Sequence, residues 1–338
     1  MDFYNFGAHS TLSACICMVY FARGTYHNTA NAFKTGGGVS FSQHPSMTKP
    51  PETALSAQHR LRRIEGRHNP LVKQLRQAFS RAELTESGDC AIEGLRILEE
   101  AIRSGLRFSA VFFRESAQDR AERLLPQIGA QVETLLLPDK LFDSLVPSES
   151  PQGVAALVRL KEFSLDDVME MERLHIGPIV VLAGLQDPGN LGTILRSSEA
   201  FGSAGVVLGE GTVSPFNSRV VRASAGSVFR MPIIHGQGSH GKSAAKLEEV
   251  SEKLRAQGIH LLATSSHKGT PLDQANLKSP AAIFFGNEGS GLPREVMAKM
   301  DESIVIPHTA QVESLNAGVA ASIVLYEAAR QRKNALSH

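Results

Sequence analysis

The first side chains that could bind a ligand or take part in a reaction lie in a turn and helix at residues 184–196. Residues 187–189 read Asp-Pro-Gly, which favours a tight turn, and Asn190 is of a type that caps helix N-termini. A helix N-terminus and the guanidinium of Arg196 could together hold an anion such as a phosphate group. The alternative is purely structural: Asn190 only caps the helix, and Arg196 lies on a solvated face.

A glycine-rich turn at residues 284–292 carries the second set. Glycines such as Gly286 let a ligand approach the backbone closely. The turn lacks the Gly-Lys-Ser/Thr ending of a phosphate-binding P-loop, and its spacing does not fit the dinucleotide fingerprint. Glu288 is therefore either an ordinary exposed carboxylate or a ligand for a cationic or hydroxyl-bearing molecule.

A strand end and a polar turn at residues 304–316 form the third set. Ser314 and Asn316 precede a predicted helix whose first turns are rich in alanine, glycine and serine. Such small residues let a helix pack closely against its neighbour. Helix capping alone would also explain Ser314 and Asn316.

An alternation of strands and helices from residue 177 onward must position these three segments. Continuous apolar runs such as residues 179–182 are typical of buried parallel strands. Their alternation with helices predicts an open, mostly parallel, Rossmann-like α/β sheet. Ligands bind such sheets beyond the carboxyl ends of the strands, where all three segments fall. We predict strands over residues 179–183, 205–208, 259–264, 282–285 and 303–306, and helices over residues 191–200, 218–225, 243–256, 293–299 and 315–332.

The preceding residues divide into three parts. We predict that residues 1–58 form a disordered extension, with a weak targeting segment as the alternative. A small α/β domain is predicted over residues 59–162, and a polar, acidic linker that can hold one short helix over residues 163–175, before a second domain over residues 176–338. Within the small domain, we predict helices over residues 70–82 and 91–104 and strands over residues 109–113 and 154–160.

The composition is that of a soluble globular protein, with 42% hydrophobic and 20% charged residues and a net charge of +1. This charge argues against a protein that coats nucleic acid everywhere, but it permits a local basic patch. The three cysteines form neither a zinc pattern nor a disulfide framework, which predicts no metal site and a reducing cytoplasm. No apolar run approaches the ~20 residues that span a bilayer, so no membrane association is expected.

Together, and in this order, the three segments resemble the signature of the SpoU/TrmH-type RNA 2′-O-ribose methyltransferases of the SPOUT superfamily. The resemblance covers roughly residues 177–332. The small domain more loosely resembles the ribosomal-protein-like RNA-binding domain found ahead of many such enzymes, through residues 69–73 and 92–94. The matching pieces of the signature are Asn190-x-Gly-x-x-x-Arg196, Gly286-Asn287-Glu288-Gly289-x-Gly291-Leu292, and Ile306-Pro307 followed by Ser314-Leu315-Asn316.

This resemblance implies a C-terminal trefoil knot in the sheet, a homodimer with the knot and the last helix at its interface, and S-adenosyl-L-methionine as the methyl donor. It also implies direct attack of a ribose 2′ oxygen on the methyl group, without a covalent enzyme intermediate. The implied catalytic residues are Arg196, Asn190, Glu288, Ser314 and Asn316, and the implied cofactor contacts are Thr264, Gly286, Ile306 and Leu315.

The family mechanism makes the arginine at the position of Arg196 the general base. A guanidinium has a pKa above ~12 and stays protonated. We therefore expect Arg196 to bind an RNA phosphate and to position the ribose hydroxyl. Many family members have Met and Gly where this chain has His308 and Ala310; we expect His308 to be a solvent-exposed loop residue.

Residues 60–81 contain seven Arg or Lys residues and a single acid, Glu65, which is the strongest basic run in the chain. Contact with RNA phosphates is the interpretation we favour, and a solvated helix face is the alternative. The predicted RNA contacts in this run are Arg62, Arg63, Arg67, Lys73 and Arg76, with Arg219, Arg222 and Arg230 as further candidates in the second domain.

Two rival functions fit parts of this pattern: an rRNA-binding assembly or resistance factor without catalysis, and a nucleotide-dependent enzyme on a Rossmann-like sheet. The sequence lacks the phosphate fingerprint that the second would need. Within the favoured class, the extra N-terminal domain favours large-subunit rRNA over tRNA.

Overall fold

The computed structural model describes residues 61–173, 177–235, 246–309 and 311–336. The predictions for residues 1–58 and for Ala310 lie outside these ranges. The described chain contains two sheets. We call residues 61–160 the five-stranded unit and residues 165–336 the seven-stranded unit.

The five-stranded unit is a mixed sheet with the strand order β1-β4-β3-β5-β2. β1, β4 and β3 run parallel, whereas β5 is antiparallel to both of its neighbours. Phe112 and Phe113 of β3 are fully buried on opposite faces, because helices cover both sides of the sheet. Its elements are β1 (Leu61–Arg63), α1 (Pro70–Arg81), β2 (Asp89–Glu93), α2 (Leu95–Arg103), β3 (Arg107–Arg114), α3 (Gln118–Leu124), β4 (Glu133–Leu137), α4 (Asp139–Asp143) and β5 (Val154–Arg159).

One predicted helix of this unit was wrong in its first part. Residues 91–93 belong to β2, and the helix starts only at Leu95. Gly94 separates the two elements with φ +98°, a conformation that L side chains rarely adopt. All residues of β2 are buried and pair with β5, so burial on both faces outweighs the apparent helical spacing.

The seven-stranded unit is an open sheet in which every pairing is parallel, with the order β10-β12-β9-β11-β6-β7-β8. The predicted mostly parallel α/β architecture is therefore confirmed. The two edge strands, β8 and β10, were not predicted, because three and two residues give no readable pattern. The strands are β6 (Ile179–Leu182), β7 (Gly205–Leu208), β8 (Ile233–His235), β9 (His260–Ser265), β10 (Thr270–Pro271), β11 (Ala281–Phe285) and β12 (Glu302–Val305).

Helices cover both faces of this sheet. One face packs against α6, α7 and α10, and the other against α5, α8 and α9. The predicted helices are present with shifted ends; the part of one prediction at residues 243–245 lies outside the described ranges. None of the helices described combines the length and apolar character that crossing a bilayer requires. The helices are α5 (Leu165–Arg173), α6 (Pro188–Ala200), α7 (Ser218–Ala223), α8 (Leu247–Ala256), α9 (Arg294–Met297) and α10 (Ala317–Leu336).

The segment predicted as a linker holds helix α5, which packs into the seven-stranded unit. The fully buried Glu172 accepts hydrogen bonds at Oε1 from Nη2 of Arg332 and from the main-chain N–H of Ala281, both at 2.9 Å. Arg332 also donates through Nε to the carbonyl of Leu277. This buried ion pair ties the end of α10 to α5, so α5 is an integral part of the second unit.

Candidate active site

The site lies at the carboxyl ends of β9, β12, β11 and β6, which are consecutive in the sheet. Thr264 at the end of β9, Gly286 after β11 and Ile306 after β12 are therefore brought to one edge. The Thr264 hydroxyl donates to the carbonyl of Phe284 at 2.9 Å, which fastens β9 to β11 beside Gly286. These three predicted cofactor-binding residues therefore lie at the same edge of the sheet, as expected for residues at the carboxyl ends of parallel strands.

The loop after β11 is held by Asn287, whose importance the sequence reasoning missed. Its Nδ2 donates to the carbonyl of Gly184, after β6, at 2.8 Å. Its Oδ1 accepts from the main-chain N–H groups of Gly289 and Ser290 at 2.9 and 3.2 Å. One asparagine therefore shapes its own turn and joins it to the turn before α6. An Asn followed by Gly-rich residues is a recognisable signal for such a turn.

Helix α6 begins differently from the prediction. Asp187, and not Asn190, is the N-cap: its Oδ1 accepts the main-chain N–H of Asn190 at 2.7 Å. Pro188 starts the helix, where its missing N–H costs nothing. Asn190 consequently lies in the first turn with its side chain released from capping, and its Nδ2 donates to Oε1 of Glu288 at 3.0 Å. The structure thus joins two of the predicted catalytic side chains.

Arg196 is exposed on α6, and no partner for its guanidinium occurs in the described parts of the chain. Six residues of helix place it about 9 Å along the axis from Asn190 and about 120° around it. It lies between the helix face of Gly192, against which α7 packs, and the face of Thr193, against which α10 packs. The structure therefore presents Arg196 to solvent beside the Asn190–Glu288 pair, without contact between them.

The start of α10 completes the site. Asn316 caps this helix, accepting at Oδ1 from the main-chain N–H groups of Gly318 and Val319 at 3.0 and 3.2 Å. Its Nδ2 has no hydrogen-bond partner within the described ranges. Ser314 is exposed, and Leu315 is half-buried. The hydroxyls of Ser197 and Ser322 lie 2.6 Å apart and hold α10 against α6. The third segment is thereby placed against the helix that carries Arg196.

His308 is not the exposed loop residue that was expected. It is half-buried, and its Nδ1 lies 2.8 Å from the carbonyl oxygen of Ile306. Because a carbonyl oxygen only accepts, Nδ1 carries the proton. The imidazole therefore folds back on the main chain of a predicted cofactor-binding residue and stiffens that turn.

A cleft of about 420 Å³ lies on the other side of the Asn287 turn. None of the predicted catalytic or cofactor-binding residues lines it. We assign the chemistry to the Asn190–Glu288 side, because the three motif segments converge there. Residues lining the cleft include Gly184, Glu210, Leu247, Glu248, Asn287 and Val296.

The predicted RNA contacts separate into two groups. Arg62 is paired with Glu133 at 3.2 Å, and Arg63 with Glu115 at 2.7 Å. In contrast, the remaining three have no ion-pair or hydrogen-bond partner for their side chains within the described ranges. These unpaired cations are Arg67, Lys73 and Arg76.

Two further candidates for RNA contact have carboxylate partners within the protein. Arg222 lies 3.7 Å from the carboxylate of Glu93, and Arg230 is held by the carboxylates of Glu199 and Glu100. Arg219 remains exposed. Within the described ranges, no group of three or more His, Cys, Asp or Glu side chains is arranged to hold a metal ion.

Comparisons with known proteins identify the family of this chain. The sequence profile of the SpoU rRNA Methylase family matches residues 177–326, and that of the MRM3-like substrate binding domain matches residues 69–156. An uncharacterized tRNA/rRNA methyltransferase of Synechocystis sp. is 33% identical over 270 residues, which are 80% of this chain and 94% of the relative. The 23S rRNA (guanosine(2553)-2′-O)-methyltransferase RlmP of Bacillus subtilis is 28% identical, over 79% of this chain and 98% of that protein.

A solved structure agrees as well. The AdoMet-bound rRNA methyltransferase from Sinorhizobium meliloti matches with a TM-score of 0.64 and 26% identity, covering 80% of this chain and 98% of that one. The family match and these similar proteins identify the chain as a methyltransferase. The chain belongs to the SpoU rRNA methylase family. The resemblance drawn from the three motifs is thereby confirmed.

Proposed function

We propose that this protein transfers a methyl group from S-adenosyl-L-methionine to a ribose 2′-hydroxyl of large-subunit rRNA. The observation that carries the proposal is the hydrogen bond from Asn190 to Glu288, which joins two motif segments at the edge where the third also ends. Membership of the SpoU family supports methyl transfer, and the similarity to RlmP supports an rRNA ribose as the acceptor.

The residues present fit the methyl donor. Gly286 and Ile306 follow β11 and β12, which flank β9 in the parallel sheet. The main-chain N–H and carbonyl of Leu315 have no hydrogen-bond partner within the described ranges. Free main-chain groups beside a half-buried side chain suit the polar edge and apolar face of an adenine. Thr264 supports this surface through its bond to the Phe284 carbonyl. When bound, S-adenosyl-L-methionine supplies a methyl group activated by its sulfonium.

Glu288 is positioned to receive the ribose. Asn190 occupies its Oε1, which leaves Oε2 to accept a hydrogen bond from the 2′-hydroxyl. The ribose hydroxyl loses its proton when its oxygen takes the methyl group, and Oε2 of Glu288 is the group placed to accept that proton. Asn190 would orient this carboxylate, and correct alignment itself can contribute ~7–11 kcal/mol.

Arg196 binds the RNA phosphate beside the reacting ribose. Its guanidinium is exposed and unpaired within the described ranges, and it forms the planar fork that suits a phosphate. It stays protonated, so its role is to hold and polarise. Ser314 and the Nδ2 of Asn316 complete the set of hydrogen-bonding groups.

The five-stranded unit supplies the second RNA contact. Lys73 is exposed on α1, and Arg67 precedes this helix in an exposed turn. The carbonyl of Ala82, just after α1, accepts a 2.5 Å hydrogen bond from Ser214 in the loop after β7. Helix α1, which carries Lys73, thus ends near the carboxyl edge of the seven-stranded sheet. One structured RNA could therefore contact this helix and the candidate active site.

Three finer features belong to this proposal. We propose that residues 59–162 form the RNA-binding domain and residues 176–338 the methyltransferase domain of a cytoplasmic enzyme. The strand order, in which β12 lies beyond β9 while α10 returns to α6, supports a C-terminal trefoil knot. An exposed apolar stripe on α10 supports a homodimer: Val319, Ile323 and Tyr326.

The test uses recombinant full-length protein, labelled S-adenosyl-L-methionine, and unmodified transcripts of large-subunit rRNA and of tRNAs from the source organism. We expect methylation of one ribose in the rRNA, and its loss from rRNA of a deletion strain. The Arg196→Ala variant should lose transfer and keep cofactor binding by calorimetry. Methylation of tRNA alone would reassign the substrate. Cofactor or RNA binding without transfer to either RNA would refute the enzymatic proposal.

A further inference from the structure

Among the described residues, three side chains within residues 214–230 of the seven-stranded unit make polar contacts with the five-stranded unit. We call this stretch the bridging segment. Ser214 donates to the carbonyl of Ala82. Arg222 donates to the Ser148 hydroxyl at 3.1 Å and lies 3.7 Å from Glu93. Arg230, at the end of the segment, makes the most extensive contact.

The guanidinium of Arg230 binds side chains of both units at once. Its Nε and Nη2 donate to the two carboxylate oxygens of Glu199 on α6 at 2.5 and 2.9 Å. Its Nη1 donates to Oε2 of Glu100 on α2 at 3.0 Å and to the hydroxyl of Ser104 at 3.1 Å. Each of the three charged side chains is only 26% exposed. Such a desolvated bidentate arrangement is stronger than a surface ion pair.

The backbone around this cluster is built for close packing. Gly226 has φ +90°, and a Cβ there would lie 2.9 Å from Cβ of Glu100 and 3.0 Å from Nη1 of Arg230. At the C-terminal residue of α7, three positions before Gly226, Cβ of Ala223 would lie 2.3 Å from a Cβ on Gly192 of α6. The bridging segment is therefore wedged between α6 and α2, with no room for a larger residue at either glycine.

The cluster is not a phosphate site. The donors of Arg230 are already used by Glu199 and Glu100, and Glu100 also pairs with Arg103 at 2.7 Å. An RNA phosphate would have to displace Glu199 or Glu100. Arg230 therefore needs another explanation than RNA binding.

We infer that Arg230 is a positioning residue that fixes α2 of the five-stranded unit against α6, the helix that carries Asn190 and Arg196. We call this connection the lock. Glu199 lies one helical turn after Arg196 on α6, so the lock acts close to the phosphate-binding guanidinium. It sets the separation between the basic face of α1 and Arg196, and thereby which nucleotide of a bound RNA reaches the site. The effect on RNA placement rests on the proposed function, whereas the contact between α2 and α6 does not.

The kinetic test compares two RNAs with the Arg230→Gln variant. One is the unmodified large-subunit rRNA transcript, which can contact both units; the other is the shortest fragment of it that the wild type still methylates. We expect KM for the transcript to rise about tenfold, as for the removal of one charge-assisted hydrogen bond, with kcat within about twofold. KM for the fragment should be unchanged. Arg230→Lys, which keeps the charge but not the planar fork, should restore part of the effect.

The matched control is Arg255→Gln. Arg255 also bridges two elements, through the carbonyl of Lys299 and the carboxylate of Asp301, but it lies wholly within the seven-stranded unit. It should leave the ratio of the two KM values unchanged. An equal rise of KM on both RNAs in Arg230→Gln, or no rise on either, would overturn the inference, since a merely stabilising residue would not discriminate between them.

Hydrogen exchange tests the lock without any turnover. In Arg230→Gln, amides of α2 (Leu95–Arg103) and of the C-terminal half of α6 should exchange faster, while those of β9 and α8 should not change. Unaltered exchange in α2 and α6 would refute the lock. If the wild type methylated neither RNA, the proposed function would fail, and the exchange experiment would still decide this inference.

Discussion

Nδ2 of Asn190 donates a 3.0 Å hydrogen bond to Oε1 of Glu288, although 98 residues separate the two in the chain. The contact exists because Asp187 caps helix α6 and releases the Asn190 side chain from that role. It fixes one carboxylate oxygen of Glu288, while the other has no partner within the described ranges.

Removing either partner should slow methyl transfer. We expect Asn190→Ala and Glu288→Ala each to lower kcat by at least about tenfold, or about 1.4 kcal/mol of transition-state stabilisation. The double variant should be no worse than the poorer single variant, because both act through one interaction. Single-turnover rates at saturating cofactor measure this, with the exposed Glu295→Ala as control. Additive reductions would show that the two side chains act independently.

Gly286 should tolerate no side chain. A Cβ there would meet backbone atoms of Gly291 and Leu292 at 2.3 and 2.5 Å, and backbone cannot rotate aside. We expect Gly286→Ala to weaken cofactor binding about tenfold or more, since overpacking typically costs about 1–3 kcal/mol. Gly289→Ala is the control, because its nearest atom, Oδ1 of Asn287, would be 3.6 Å away. Calorimetric titration of both variants with S-adenosyl-L-methionine measures the two affinities. Equal affinities would contradict the packing argument.

The unpaired cations of the five-stranded unit should dominate RNA binding. Replacing Lys73 and Arg76 by Gln should reduce the slope of log K against log salt concentration by about 0.9 for each phosphate that is no longer neutralised. Replacing Arg62 and Arg63 should have a smaller effect, because Glu133 and Glu115 already neutralise them. Filter binding of the rRNA transcript at several salt concentrations compares the two double variants. A larger change in salt slope for the Arg62/Arg63 variant than for the Lys73/Arg76 variant would contradict this prediction.

The proposed dimer predicts a sensitive position on α10. Val319, Ile323 and Tyr326 are 48%, 37% and 55% exposed and recur at helical spacing. We expect the wild type to sediment as a dimer and Ile323→Lys to sediment as a monomer, because an unpaired charge would enter an apolar contact. Gln257→Lys, which adds the same charge at the exposed end of α8, is the control. A monomeric wild type at micromolar concentration would count against the dimer.

Glu93 should make stability depend on pH. Burial raises the pKa of its carboxyl above the ordinary 4.5, against the opposing effects of Ser148 and Arg222. Between 4.5 and the raised value, the folded protein binds more protons than the unfolded chain, so its stability falls as pH rises. Glu93→Gln lacks this dependence. The free energy of unfolding of the variant minus that of the wild type should therefore increase as pH rises from 4.5. Denaturant titrations at several pH values measure both free energies. A difference that does not change with pH would contradict the raised pKa of Glu93.

Local signals in the sequence were sufficient for the five inner strands of the seven-stranded unit. Apolar runs such as residues 205–208 coincide with a strand, since burial on both faces requires unbroken hydrophobicity. The same local reasoning failed at residues 91–93, where spacing alone could not distinguish a helix from a doubly buried strand. It also missed the two short edge strands, whose pairing depends on neighbours distant in the chain.

The sequence by itself determined which residue types reach the site, because parallel strands deliver their carboxyl-end loops to one edge whatever the details of packing. Only the tertiary structure decided what each side chain does there. It gave the capping role to Asp187 and a partner to Asn190. It also separated Arg196, whose guanidinium has no partner among the described residues, from Arg230, which two carboxylates hold. The physical reason is that a cation binds whichever acceptor folding brings within about 3 Å, and sequence spacing carries no information about contacts made across the fold.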